Sequence, residues 1–235
     1  MSRIWLITGA SSGFGLELAR AAARQGDRVL AASRTPEKLN ALVSSDKVKP
    51  VYLDHNQPLS QIQSAVRDIL AVHGTVDIVV NNAAYVQTGM LEEVSPEDTL
   101  RQFQANTLGP LNLYRALLPH LRDKGSGTLV TIGSMAAWYP MSGCNLYNAS
   151  KAALRCTTDA NFAAFHGAQL GDPVKGAQII YDVVTSSGAA AGRKLPELLP
   201  LGSDASEEIS KSASGTLASV EEFKTISALS DIPKA

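Results

Sequence analysis

No long apolar run occurs in this sequence. Its hydrophobic stretches are broken by glycine, asparagine or a charge well before the roughly 20 residues that span a bilayer, so no membrane-spanning segment is expected. An excess of charge of one sign is also missing. Twenty-one Lys and Arg face 22 Asp and Glu, for a formal net charge of −1, which leaves no global field to attract nucleic acid or anionic lipid. Small molecules are therefore the expected partners. Cysteine is scarce, with only Cys144 and Cys156 present. The first residues read as a strand, without the basic and apolar regions of an export signal, so both thiols are expected to be free in a reducing, cytoplasmic setting. The histidines, His55, His73, His120 and His166, are scattered without metal-ligand spacing, and no metal site is expected. Cys144 lies near the motifs described below but carries no mark of a tuned nucleophile.

What the sequence does have is alternation. Ile4 to Ile7 reads as a buried strand, Gly13 to Gln25 as a helix and Arg28 to Ala32 as a second strand. Pro36 to Val43 reads as helical and Lys49 to Leu53 as extended. Leu59 to Val72 carries Ile62, Val66, Ile69 and Leu70 on one helical stripe, and Val76 to Val80 is extended. A long helix over Pro96 to Leu121 leads to a fifth strand, Thr128 to Ile132. Unalternated Val/Ile/Leu strands separated by helices imply a parallel sheet covered on both faces, because each right-handed crossover restores the strand direction. The expected fold is α/β: a Rossmann-like, doubly wound parallel sheet. At 235 residues one domain of the larger kind is expected. The Ser- and Ala-rich segment from residue 203 reads as a potentially mobile tail.

Between the first strand and the first helix stands Thr8-Gly9-Ala10-Ser11-Ser12-Gly13-Phe14-Gly15. Glycines permit a tight turn and let backbone N–H groups approach a pyrophosphate, whose charge a helix N-terminus favours. Alone, such a turn is weak evidence, but its strand-turn-helix context is what a nucleotide site requires. At the end of the second strand, Ser33 occupies the place of the acid that would bond a ribose 2′-hydroxyl. Arg34 follows, either as a solvated strand-end residue or as a planar, charged fork for a 2′-phosphate. Tyr147 and Lys151 are i and i+4 and share one helical face. Such a pair is in isolation an ordinary exposed helix surface, yet an ammonium beside a phenol favours the phenolate and makes proton exchange with a carbonyl or alcohol oxygen feasible. Ser134 ends the fifth strand, where doubly wound sheets hold their ligands.

Together these motifs, with Asp54, Asn81-Asn82-Ala83-Ala84 and Asn106, resemble the short-chain dehydrogenase/reductase family from Arg3 to about Ala153. Ala84 stands where that family usually has glycine. The resemblance implies an NADP(H)-dependent oxidoreductase that interconverts a ketone and a secondary alcohol. It implies catalytic roles for Tyr147 as acid/base, Ser134 as the group orienting the substrate, Lys151 as holder of the nicotinamide ribose, and Asn106 as anchor of a water in a proton relay. It places Gly9, Ser11, Ser12, Gly13, Phe14, Gly15, Arg34, Asp54, Asn81 and Ala83 at the cofactor, with Asp54 meeting the adenine and Asn81 the adenosine ribose. The helices over Pro96 to Leu121 and from Tyr147 onward match those through which relatives form homodimers or homotetramers. Met135 to Met141, with Trp138 and Tyr139, and Asn145 and Leu146 are expected on the substrate side.

Beyond Lys151 the resemblance breaks. The family's sixth strand, its Pro-Gly turn and its substrate-covering loop have no counterpart. The helix is expected to run on to about Ala164, followed by a turn over His166 to Pro173, a helix over Val174 to Val184 and a late strand over Leu195 to Gly202. That last block resembles one branch of the family whose members often act on lipid-like or secondary-metabolite carbonyls. Without the sixth strand the fifth becomes an exposed edge. A second reading therefore stands beside the enzyme: a catalytically impaired relative that binds nucleotide or dimerises.

Overall fold

The computed structural model describes residues 2–42, 46–137, 142–156, 175, 179, 182–183, 186–194, 196, 199–200 and 202–231. They belong to two compact units, Met1–Ala160 and Asn161–Ala235, each taken by itself.

The first unit is the expected parallel sheet. Its strands are β1 (Ile4–Thr8), β2 (Arg28–Ser33), β3 (Val48–Tyr52), β4 (Ile78–Asn81) and β5 (Thr128–Thr131), in the order β3-β2-β1-β4-β5. Every pairing is parallel, with Leu6 opposite Leu30 on one side and Val79 on the other. The order reverses direction after β3, so the carboxyl ends of β1 and β4 flank a switch point. Helix α1 (Gly13–Arg24) connects β1 to β2, α2 (Leu59–His73) connects β3 to β4, and α3 (Pro96–Phe103) with α4 (Gly109–Lys124) connects β4 to β5, while α5 (Asn145–Cys156) follows β5.

Two cores result. On one face Ile62, Val66 and Ile69 of α2 meet Leu113, Leu117 and Leu121 of α4 over Leu6, Leu30 and Val79. On the other, Ala19 and Ala22 of α1 cover Ile7, Val29 and Val80, with Leu39 sealing the rim. Each fully buried aliphatic side chain contributes about 1.5–3 kcal/mol relative to exposure, so both faces of the sheet are anchored.

Two expectations change in detail. Pro36–Leu42 forms a 3₁₀ helix. The long helix is not continuous: a π-helical turn at Gln104–Leu108 separates α3 from α4, and Gly109 N–H bonds to the Gln104 carbonyl five residues back. The sequence gives a physical reason. Pro110 has no N–H for the Asn106 carbonyl, and its ring would crowd that oxygen in a regular α-helix; widening by one residue relieves the conflict.

Strand β5 lies at the end of the sheet and pairs only with β4 among the described residues. Leu129 on it is 40% exposed. In the second unit, a short 3₁₀ turn at Gly188–Ala190 is tied down by Asp182 Oδ2, which accepts from Ala189 N–H at 3.1 Å. Helix α6 (Ser203–Ala228) follows, with Leu217, Val220, Phe223 and Ile226 exposed. Within the expected late strand, Pro196, Leu199 and Pro200 are described and are not in a strand. The expected extension of α5 beyond Cys156, the turn over His166 to Pro173, and Trp138 and Tyr139 lie outside the described residues, as does most of the expected helix over Val174 to Val184.

Candidate active site

The glycine turn is built by contact as well as by conformation. Gly9 has φ +63°, and a Cβ there would lie 2.9 Å from Ala83 Cα. At Gly15 a Cβ would come within 2.5 Å of both Asn82 Nδ2 and the Gly9 carbonyl oxygen. Only hydrogen fits at either place. Asn82 occupies the space so created: its Nδ2 donates to the Thr8 carbonyl at 2.9 Å and to that of Gly9 at 3.3 Å. Thr8 reciprocates, its Oγ1 accepting from the N–H groups of Asn82 and Ala83, both at 3.0 Å. The turn after β1 is thus stapled to the turn after β4. Above it, α1 begins with Ser12 as N-cap, without a side-chain capping bond and without an acidic residue in its first turn. Its first N–H groups point to a place where an anion is favoured.

A crevice of about 430 Å³ opens here, bordered by Gly9, Ser11, Ser12 and Phe14 on the α1 side and by Ala83 and Tyr85 opposite. Ser33, Arg34, Asp54 and His55 close its far end. Arg34 is exposed, its charge open to a ligand. Ser33 is turned inward, its Oγ accepting from Thr35 N–H at 3.1 Å. Asp54 Oδ1 already accepts from the backbone and side-chain nitrogens of Asn56, at 2.9 and 3.0 Å. Phe14 is 81% exposed at the mouth, an apolar plate beside a polar trench. Gly13 and Gly15 stand in the turn beneath, while Asn81 is buried below the crevice and does not line it; its Nδ2 donates to the Pro110 carbonyl at 3.1 Å.

A second cluster of the expected site residues is assembled on α5 and the π-turn. Lys151 is 3% exposed. Its Nζ donates to the Ile132 carbonyl at 2.8 Å and lies 6.0 Å from the centre of the Tyr147 ring, so the pair shares one face as their spacing requires. Burial pushes the Lys151 ammonium below the usual lysine range. Ser134 sits just past β5, its Oγ accepting from Ala136 N–H at 3.1 Å. Asn106, fully buried in the π-turn, braces the loop after β4: Oδ1 accepts from Tyr85 N–H, and Nδ2 donates to the Tyr85 carbonyl. The same Nδ2 reaches Ser150 Oγ at 3.1 Å, and Ser150 Oγ donates to the Tyr147 carbonyl at 2.8 Å. Thr107 Oγ1 donates to the Ser150 carbonyl at 2.9 Å. The helix carrying Tyr147 is therefore fixed to the π-turn by two buried side chains.

The structure brings Tyr147 and Lys151 onto one face and sets Gly9, Ser11, Ser12, Phe14, Arg34, Asp54 and Ala83 around one crevice. Four supporting residues were not assigned roles from sequence. Thr8 and Asn82 sit inside the recognised motifs, and their polar side chains at strand ends were the available signal. Ser150 and Thr107 gave none, because an isolated hydroxyl on a helix is indistinguishable from a solvated one until its partner is known. Among the described residues no cluster of His, Cys, Asp and Glu suits a metal ion, and no helix is long and apolar enough to cross a membrane.

Comparison with known proteins finds relatives in sequence and in fold. The family profile described as short chain dehydrogenase matches residues 3–166. Oxidoreductase BOA17 of Botryotinia fuckeliana is 36% identical over 154 residues, which cover 64% of this chain and 56% of that protein. The chain spans between half and three fifths of the length of such curated relatives. Among solved structures, a short-chain dehydrogenase from Streptomyces avermitilis matches 99% of this chain and 100% of its own, at 29% identity and a TM-score of 0.64. A gluconate 5-dehydrogenase from Burkholderia cenocepacia, in complex with NADP and tartrate, matches 67% of this chain and 64% of its own, at 28% identity and a TM-score of 0.62.

Proposed function

The chain belongs to the short chain dehydrogenase family, and from that premise we propose that it is an NADP(H)-dependent oxidoreductase interconverting a ketone and a secondary alcohol. The observation that carries the proposal is the buried Lys151 Nζ 6.0 Å from the ring centre of Tyr147, on the helix that Asn106 and Thr107 hold in place. The crevice fits a dinucleotide: glycines where a Cβ would collide, an uncapped helix N-terminus for the diphosphate, and Arg34 for a 2′-phosphate. When bound there, the cofactor supplies hydride transfer at its nicotinamide.

The chain's own residues would do the rest. Tyr147 passes a proton between its phenolic oxygen and the substrate oxygen as that oxygen gains or loses charge. Ser134 offers a hydroxyl to orient the same oxygen. Lys151, tied to the Ile132 carbonyl, keeps a cation beside the phenol and leaves further N–H donors for a ribose hydroxyl. Arg34 stands at the opposite end of the trench and favours the phosphorylated dinucleotide. Homodimers or homotetramers built through α4 and α5 belong to the same proposal.

The sheet, five-stranded among the described residues with β5 at its edge, favours a second reading: a nucleotide-binding relative without turnover. The two part in one assay, NADPH oxidation with a panel of ketones by the wild type and by Tyr147→Phe, alongside NADPH binding by fluorescence. Turnover in the wild type and its loss in the variant supports the enzyme. Equal inactivity in both, with NADPH still bound, overturns it.

A further inference from the structure

The two edges of the sheet are built differently. At one of them β3 carries the devices that discourage further pairing. Leu53 N–H donates to the Ser33 carbonyl, so alternation along the strand turns the backbone of Lys49 and Val51 towards β2 and that of Pro50 away from it. Pro50 has no N–H to offer on that outer side. Lys49 next to it is exposed and brings a charge.

Strand β5 has neither device. Thr128 N–H donates to the Asp77 carbonyl and Ile132 N–H to that of Asn81, both at 2.9 Å. The even-numbered residues therefore bond towards β4, and the N–H and C=O groups of Leu129 and Thr131 point away from it. These groups have no hydrogen-bond partner among the described residues. Thr128, Leu129, Val130 and Thr131 are uncharged, and none of them is buried. The strand is nevertheless held in shape from the α4 side, where the Tyr114 hydroxyl bonds to the Val130 carbonyl at 3.1 Å and to Thr131 Oγ1 at 2.6 Å. Two outward residues flanking one inward residue make the edge complementary to itself. In an antiparallel pairing about a two-fold axis at Val130, Leu129 and Thr131 of one copy meet Thr131 and Leu129 of the other and exchange N–H···O bonds in both directions. Val130 then faces Val130 and Thr128 faces Ile132, pairs of β-branched side chains that suit a sheet. No like charges meet.

We infer that β5 is a dimerisation edge: two copies of the chain pair β5 with β5, antiparallel about Val130, and join their sheets into one. The contact is isologous and closes on itself. The outermost strand at either end of the joined sheet is then β3, where Pro50 and Lys49 stop further growth. The pairing does not depend on the proposed chemistry, and it uses a surface other than α4 and α5.

Sedimentation of the full chain over a wide concentration range, together with cross-linking, tests the inference. Leu129→Pro removes an N–H that β4 does not use, so the sheet of each copy should survive, as circular dichroism and thermal unfolding will check. It takes half of the backbone bonds from the pairing and should weaken association by about ten- to a hundredfold. Leu129→Ala keeps the N–H and should weaken it less. The register is read separately, in chains that also carry Cys144→Ser and Cys156→Ser. Facing residues of a pair without mutual hydrogen bonds have Cα atoms about 4.5 Å apart, within reach of a disulfide, so Val130→Cys should give a covalent dimer on oxidation. Thr128→Cys should not, because its two copies lie four residues out of register, about 13 Å apart. A wild type that stays monomeric at every concentration overturns the inference, as does open-ended growth. So does association that Leu129→Pro leaves unchanged in a folded chain, which is the behaviour of a contact through α4 and α5 alone. Cross-linking that fails at residue 130, or that succeeds equally at residue 128, overturns the pairing about Val130.

Discussion

Asn106 Nδ2 donates to Ser150 Oγ across 3.1 Å, joining residues 44 positions apart. This bond makes α5, the helix of Tyr147 and Lys151, depend on the π-turn. Ser150→Ala leaves Asn106 its bond to the Tyr85 carbonyl and should cost about 0.5–1.5 kcal/mol in urea unfolding. Asn106→Leu strands the Tyr85 N–H, whose carbonyl keeps the bond from Gln102 Nε2, and also removes the partner of Ser150 Oγ; it should cost more, about 2–3 kcal/mol. Both should reduce turnover more than NADPH affinity, since the affected bonds lie beneath Tyr147.

Gly15→Ala puts a methyl group where Asn82 Nδ2 stands. The staple between the first and fourth strands must yield, and a loss of roughly 1–3 kcal/mol together with weakened NADPH binding is expected. Thermal unfolding in the presence and absence of NADPH reads both. Gly13→Ala, where a Cβ meets nothing within 4 Å but φ is +55°, should lose stability through backbone strain alone.

Arg34→Ala removes the exposed cation at the far end of the crevice. NADPH should bind about ten- to a hundredfold more weakly, the range of a lost charge-assisted hydrogen bond, while NADH affinity stays nearly unchanged. Parallel dissociation constants for the two dinucleotides decide this.

His55 gives the fold a pH dependence whose sign can be worked out. Its imidazole is lowered by burial, with Asp54 acting in the opposite sense, from 6.5 to about 4. Between these values the unfolded chain binds the proton and the folded chain does not, so stability rises with pH. The contribution is complete above about pH 6.5 and is lost as pH falls towards 4, at most about 3 kcal/mol. Urea unfolding midpoints of the wild type across this window should fall more steeply than those of His55→Leu.

Among the described residues strand β5 offers an edge with no charge on it, and Leu129 is 40% exposed there. Such edges pair readily with other chains. Leu129→Lys should lower concentration-dependent association, measured by light scattering, without changing NADPH binding.

The sheet was legible because its strands are continuous apolar runs and its helices carry stripes such as Ile62, Val66 and Ile69. The glycine turn was legible as a tight turn because glycine has few substitutes where two backbones touch. The π-turn was not: apolar spacing through residues 96–121 is nearly the same for one helix as for two, and the widening depends on Pro110 meeting the Asn106 carbonyl. By spacing His55 is one of four scattered histidines; its burial, with both ring nitrogens unpaired among the described residues, is a property of packing and not of spacing. The supporting hydroxyls of Ser150 and Thr107 were hidden for the same reason.

The π-turn also makes chain length here a counted quantity. One surplus residue lets α3 present Gln102 to the loop after β4, through its bonds to Tyr85 and Gln87, while α4 still turns Leu113 and Leu117 to the sheet. Removing one residue from 104–108 would let the wide turn close to ordinary α-helical pitch and bring the Pro110 ring against the carbonyl four residues before it. It would also shift Asn106 and Thr107 relative to Ser150, so the segment holds its number of residues for the sake of the proline that follows it and the helix it grips.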